Sequence, residues 1–513
     1  MSLYRAVATV GGFTLLSRIT GFVRDVLLAR LLGAGTAADA FFVAFKFPNL
    51  FRHLFAEGAF SAAFVPIFAG KLETEGREAA RRFSDSVFAV LSLILLATVV
   101  VMEIAMPWAM RLFAPGFSAV AGKLELTAEL GRITFPYLLF IALVSLFSGM
   151  ENALGRFAAA AAAPILLNLC LIAGALGTGR LWSGDAPGHA LAWAVSVSGL
   201  IQFAWLYAGV RRSGMAPGLV LPRPSADLSR LMRRIVPGVV GMGVYQLNLL
   251  VDTVLASLLA EGAVSWLYYA DRVNQLPLGV VGIAIGTALL PLLARQIKGG
   301  REDEAARTQN RALEFAVLTT LPAAAGMACL AGPIVRVLFE RGAFSPEDSA
   351  ATAAALAAFA CGLPAHVLVK VLVPGFFARE DTVTPVKVAA LCLVSNAVII
   401  LALMHAIGHV GIAVATATSA WINALFLAAI LRRRGHFAAD ARLLSRLPRI
   451  GAATALMAAA LGLGRAFAPG ALAALPAWAD LGLWIALGGA VYAAAALALG
   501  AASLSEFRSA LRR

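Results

Sequence analysis

Apolar runs long enough to cross a bilayer recur from one end of this chain to the other. A helix needs about 20 largely apolar residues to span hydrocarbon. On that measure fourteen cores are read, beginning with 7–29, 38–69 and 84–110 and ending with 450–466 and 480–502. Backbone amides in lipid must be satisfied within their own segment, so each core is expected to be an α-helix. The pattern predicts an all-α polytopic membrane protein with about 14 transmembrane helices.

Composition strengthens that reading. Of 513 residues, 60% are hydrophobic and 14% charged, where soluble domains run nearer a quarter charged. The net charge of +14 raises the question of nucleic acid, but its placement argues for membrane topology instead. The loops at 71–82, 211–234, 295–311 and 432–449 and the C-terminal 508–513 hold most of the cations, while Arg30, Lys123, Arg180, Arg341 and Arg465 fall on the other side. By the positive-inside rule both termini are then cytoplasmic and the span number is even. The first apolar run meets Arg18 and Arg24 with no small-residue cleavage site, and it is read as a span rather than a leader. Cys170, Cys329, Cys361 and Cys392 are scattered singly and read as packing residues. No nucleotide-binding motif, metal-ligand spacing or paired-aspartate cluster is present, so neither an ATP-driven pump nor a metal-dependent membrane enzyme is indicated.

The chain repeats itself. Asp25-Val-Leu-Leu-Ala-Arg-Leu-Leu-Gly-Ala-Gly35 resembles Asp252-Thr-Val-Leu-Ala-Ser-Leu-Leu-Ala-Glu-Gly262, and aromatic pairs follow at Phe41-Phe42 and Tyr268-Tyr269. Six spans fill one period, so the halves share one topology, as in transporters built from parallel repeats. The expected organisation is two pseudo-symmetric six-helix lobes, 1–215 and 216–440, with two further helices in 441–513.

Charge inside the spans is the chemical clue. Arg18, Arg24, Arg52 and Arg272 lie in or against apolar runs. An arginine at the centre of a membrane helix costs about 2.5–3.5 kcal/mol on insertion scales. At 100° per residue, Asp39, Lys46, His53 and Glu57 share one face of span 2, with Asn49 and Arg52 beside it. Asp271 and Arg272 open span 8 at the corresponding place in the second lobe. Pairing with Asp25, Asp39, Glu57 and Asp271 would explain single arginines, but not why they gather at matching positions. The set points to an aqueous cavity that receives an anion, for which arginine is suited by its bidentate fork. Arg30, Arg111, Lys123 and Arg336, at span ends, are read as snorkelling. Asp252 with Asn248 one turn earlier, together with Asn396 and Thr416, forms a candidate Na⁺ or H⁺ site, or else a satisfied polar contact.

The runs Ser17-Arg18-Ile-Thr-Gly21-Phe-Val-Arg24-Asp25, Asp39-Ala-Phe-Phe-Val-Ala-Phe-Lys46-Phe-Pro48-Asn49-Leu-Phe-Arg52 and Phe55-Ala-Glu57-Gly58-Ala-Phe60 closely resemble the MurJ (MviN) family, lipid II flippases of the MOP exporter superfamily. Tyr268-Tyr269-Ala-Asp271-Arg272 and Val373-Pro374-Gly-Phe-Phe-Ala-Arg379 are similar to it as well. The resemblance implies a bacterial inner-membrane transporter, not an enzyme, that needs no cofactor. Its implied substrate is lipid II, the undecaprenyl-pyrophosphate disaccharide-pentapeptide, and cell-wall assembly proteins are implied neighbours. It also implies a central cationic cavity, a tail groove made by the last two helices, and essential roles for Arg18, Arg24, Asp39, Arg52, Glu57 and Arg272, with Asp271 adjacent. Gln275 departs from a glutamate that some members carry. A flippase for another polyprenyl-pyrophosphate glycan fits the charge equally well. A multidrug exporter of the same superfamily would call for an acidic cavity.

Overall fold

A computed structural model describes residues 3–55, 59–178, 187–218, 220–221, 226–467 and 475–503. Among them the chain is helical throughout, with no strand. The helices are α1 (Leu3–Leu32), α2 (Thr36–Phe55), α3 (Ala59–Thr74), α4 (Arg77–Phe113), α5 (Lys123–Thr134), α6 (Tyr137–Ala153), α7 (Ala158–Gly177), α8 (Pro187–Arg212) and α9 (Ala226–Ser257). They continue with α10 (Ala263–Pro277), α11 (Ile283–Lys298), α12 (Glu302–Cys329), α13 (Ala331–Phe339), α14 (Pro346–Phe377), α15 (Val383–Ile407), α16 (His409–Arg433), α17 (Ala441–Phe467) and α18 (Ala477–Ala498). Ten helical segments among the described residues are long and apolar enough to cross a membrane. The other expected spans, 7–29, 38–69, 235–258 and 266–293, fall on α1, on α2 with α3, on α9, and on α10 with α11.

The expected run 38–69 is described on α2 and α3, and residues 56–58 between them lie outside the described set. The run 266–293 passes from α10 through a π-helical turn, Leu278–Gly282, into α11. Pro277 supplies no amide hydrogen to the ladder at that point. Gly11 and Gly12 do not unwind α1, which is continuous.

The chain divides into two compact units, Met1–Ser265 with Arg341–Phe344, and Trp266–Glu340 with Ser345–Arg513. The first is cored by phenylalanines. Phe47 meets Phe113 edge-on at 4.5 Å, and Phe64 stacks on Phe68 and Phe83 at 5.4 and 5.6 Å. On α4 the large side chains Ile94, Val101, Ile104 and Trp108 are exposed, the surface a membrane helix turns to lipid. The second unit packs Leu293, Ala316, Val371, Phe376 and Leu427 from α11, α12, α14 and α16. Gly362 lets α14 and α16 meet backbone to backbone, since a Cβ there would lie 2.7 Å from Ala417 Cα.

Polar groups at the ends of the second unit's helices set their positions. Ser345 and Asp348 form a capping box on α14, with Pro346 at the first helical position. Glu314, buried on α12, accepts from Arg442 Nε at 3.1 Å and also binds Arg311 and Arg446, which ties the start of α17 to α12. Before α15, Asp381 Oδ1 accepts from Val383 N at 3.1 Å and Thr384 N at 2.9 Å, while Arg434 Nη1 lies 2.6 Å from Oδ2. Hydrogen bonds from Thr384, then the Arg434 guanidinium, hold the Asp381 carboxyl well below its ordinary 3.8. A depressed carboxyl stabilises the fold above its unfolded value and loses that contribution as pH falls toward the folded one. The melting-temperature deficit of Asp381→Ala is therefore expected to be constant from pH 7 to about 5 and to shrink below pH 3.8. A deficit that does not change between pH 7 and pH 3 would contradict this.

Candidate anion-translocation site

Arg24 lies on α1 and is buried, 7% exposed. Its Nε and Nη2 donate to Asp25 Oδ1 at 2.9 and 2.6 Å. From the other edge, Nη1 donates to Asn168 Oδ1 of α7 at 2.9 Å. Asn168 Nδ2 in turn donates to the Ser17 carbonyl at 2.9 Å and to Thr20 Oγ1 at 3.2 Å. Gly21 makes room, because a Cβ there would lie 3.3 Å from Asn168 Nδ2. Arg18, half-buried, sits within the same Ser17–Thr20 stretch.

The polar face expected on α2 turns toward α9 and the start of α10. Lys46 Nζ donates to Thr253 Oγ1 at 2.7 Å. Asp39 is 1% exposed and receives four hydrogen bonds. Lys123 Nζ donates to Oδ2 at 2.7 Å and Gly262 N to the same oxygen at 2.9 Å, while Ser265 donates to Oδ1 through N at 2.9 Å and Oγ at 2.6 Å. Gly262 and Ser265 are the N-cap and third position of α10, so a carboxylate from another helix caps that N-terminus. The arrangement is reciprocated. Glu261 Oε1 accepts from Thr36 N, the first residue of α2, at 2.7 Å, and also from Thr36 Oγ1. These bonds lower the Glu261 pKa. Gly35 and Gly262, matched by the internal repeat, thus precede two helices that cap each other.

Lys123 corrects the snorkelling expectation. It is 2% exposed, paired with Asp39, and its ammonium lies 4.3 Å from the Phe117 ring centroid. Only at a cost of several kcal/mol could the charge be buried without that carboxylate. Further along α2, Asn49 Nδ2 donates to Phe45 O at 2.9 Å and Arg52 Nε donates to Asn49 Oδ1 at 3.1 Å, which orients the half-buried guanidinium. Glu57 lies outside the described residues, as does the side chain of His53.

In the second unit, the Arg272 guanidinium lies over the Tyr268 ring, 4.7 Å from its centroid, a cation–π contact one turn along α10. Gln275 Nε2 donates to Asp271 Oδ2, so this chain holds an amide beside that carboxylate. Toward the end of the adjoining π turn, Lys370 of α14 packs on Gly282. A Cβ there would lie 2.9 Å from Lys370 Cδ. Of the candidate ion-site residues, Asn248 and Asp252 are half-buried on one face of α9. Asn396 on α15 is 1% exposed, and Thr416 on α16 donates to Ile412 O of its own helix at 2.9 Å. Among the described residues no group of three or more His, Cys, Asp or Glu could hold a metal ion.

Sequence reading missed Asn168 and Lys123 as members of this network. The available signal for Asn168 was an amide in a helix otherwise made of Ala, Pro, Ile, Leu, Gly and one Cys.

Comparison with known proteins bears directly on this arrangement. The family model described as lipid II flippase MurJ matches residues 28–476. A probable lipid II flippase MurJ of Rhizobium meliloti is 46% identical over 521 residues, covering 100% of this chain and 97% of the relative. A solved structure of lipid II flippase MurJ in an inward closed conformation superposes with a TM-score of 0.79 at 25% identity, covering 98% of this chain and 99% of that one. An inward-facing multidrug resistance MATE family transporter of the MOP superfamily reaches a TM-score of 0.69 at 14% identity, covering 83% and 98%, a likeness of fold. Identity across the full length of the chain, with the family model matched over residues 28–476, leads to one assignment: the chain belongs to the lipid II flippase MurJ family.

Proposed function

We propose that the protein carries lipid II from the inner to the outer leaflet of the bacterial cytoplasmic membrane by alternating access. The observation that carries this is the set of arginines on apolar helices: Arg18, Arg24 and Arg52 in the first unit and Arg272 in the second. The lipid II pyrophosphate is anionic and its sugars and peptide are polar, so unaided passage through hydrocarbon is prohibitive. Guanidinium groups give the anion a polar route, while the polyprenyl tail remains in lipid. Arg24 and Arg272 contact the pyrophosphate, Arg18 assists, and Arg52, Asp39, Glu57 and Asp271 shape the route. The tail runs along α17 and α18.

Membrane potential supplies direction in this scheme. Each charge crossing the field is worth about 2.3 kcal/mol per 100 mV, and an interior-negative potential drives an anion outward. A Na⁺ or H⁺ gradient acting through Asp252, Asn248, Asn396 and Thr416 is the alternative energy source. Proteoliposomes holding the purified protein and lipid II test both. An impermeant headgroup probe should report transfer that speeds up several-fold when an interior-negative potential is imposed without a cation gradient. Equal transfer in protein-free vesicles would refute the transport reading, and acceleration only by a Na⁺ or H⁺ gradient would replace the potential with the ion site. A polyprenyl-pyrophosphate bearing a different glycan, run in parallel, distinguishes substrates.

A further inference from the structure

An asparagine in the middle of an apolar helix is retained against a desolvation cost, and its amide must find partners. Asn168 is 5% exposed, and both ends of its amide are used: Oδ1 accepts from Arg24, and Nδ2 donates to Ser17 O and Thr20 Oγ1. We propose that Asn168 is a positioning residue for substrate binding, one that sets the plane of the Arg24 guanidinium and fixes α1 against α7 at Ser17–Thr20. This rests on the reading of Arg24 as a pyrophosphate contact.

Three features support the assignment. Asp25 Oδ1 accepts from Nε and Nη2 along one edge of the guanidinium. Asn168 holds the opposite edge at Nη1, so the plane is set from both sides. A planar fork recognises phosphate oxygens through its orientation as well as its charge, so the loss of orientation lowers affinity. The second feature is electrical. A neutral amide orients the cation without adding charge, whereas a second carboxylate beside Asp25 would give the Arg24–Asp25 pair a net negative charge and repel an anion. The third is that only a group with both a donor and an acceptor can bind Arg24 and the Ser17 carbonyl together. Leucine matches the volume without either function, and aspartate keeps the acceptor but adds charge.

Lipid II binding by the full-length protein in detergent decides the matter, with thermal melting measured on the same samples. Asn168→Leu should weaken binding about tenfold and Asn168→Asp about a hundredfold, with the Asp variant alone becoming less sensitive to salt. In an Arg24→Lys background, where the charge remains but the fork is gone, Asn168→Leu should add less than twofold. A purely structural asparagine would instead lower the melting temperature and weaken binding by the same factor in both backgrounds, which would overturn the proposal. Wild-type affinity in Asn168→Leu and Asn168→Asp would overturn it too. If the Leu variant does not accumulate, the Asp variant carries the test alone, because it is nearly isosteric with asparagine. Arg24→Ala separates the two levels. Wild-type binding by Arg24→Ala removes the reading of Arg24 itself, whereas loss in Arg24→Ala with none in the Asn168 variants removes only the role of Asn168.

Discussion

Arg24→Ala and Arg272→Ala are each expected to cut lipid II transport at least about 30-fold, since truncating one member of a desolvated charge pair costs about 2–5 kcal/mol. The two variants should differ in stability. Arg272 is half-buried and rests on the Tyr268 ring, so its loss removes a cation–π contact of about 0.5–2 kcal/mol and leaves a folded protein. Arg24 is bonded to Asp25, which is 3% exposed, and truncating it removes that bonding from a buried carboxylate. Adding Asp25→Asn to Arg24→Ala should therefore restore melting temperature without restoring transport. The measurement is headgroup accessibility in proteoliposomes, with melting followed on the same preparations. Recovery of transport in the Arg24→Ala/Asp25→Asn double variant would mean that Arg24 only neutralises Asp25 and does not serve the substrate.

Asp39 carries the second large effect. Asp39→Ala leaves the Lys123 ammonium buried without its carboxylate and removes the acceptor from Gly262 N, Ser265 N and Ser265 Oγ. A broken buried pair costs about 3–5 kcal/mol. The expected outcome is a large fall in melting temperature and in membrane accumulation, larger than for any exposed ion pair here, such as Arg301 with Glu304. Lys123→Met should cost less than Asp39→Ala, because Asp39 keeps Gly262 N, Ser265 N and Ser265 Oγ as donors at the α10 N-terminus. The double variant Asp39→Leu/Lys123→Met should recover at least half of the single-variant loss, since two matched apolar side chains carry no buried charge. Additive losses in the double variant would show that the pair is not coupled.

What sequence conveys about this protein divides along sequence separation. Helix character and membrane class follow from runs of apolar residues, and the family motif in the first 60 residues selects Arg18, Arg24, Asp39 and Arg52. The repeat, read from a short match at Asp25–Gly35 and Asp252–Gly262, locates the two glycines that precede α2 and α10. What the sequence does not convey is who binds whom. Lys123 lies 84 residues from Asp39, and Asn168 lies 144 from Arg24. A lysine at a predicted span end has the same appearance whether it snorkels to the interface or turns inward. Only packing of α5 against α2, with Phe117 beneath the ammonium, decides between the two. The span read as 266–293 gave no sign of the π turn that follows Pro277, where Lys370 packs on Gly282.

The pairing of Arg24 with Asp25 also alters the electrical accounting of a transport cycle. In the proposed cycle the loaded and empty carriers move in opposite directions through the same field, and the return leg is assisted only by whatever net positive charge the empty site retains. Asp25 is an internal counter-anion that subtracts one unit from that total, worth about 2.3 kcal/mol per 100 mV for a full crossing. Neutralising Asp25 alone would speed the empty return at high potential while strengthening the hold on the departing anion, so the potential that maximises turnover would move.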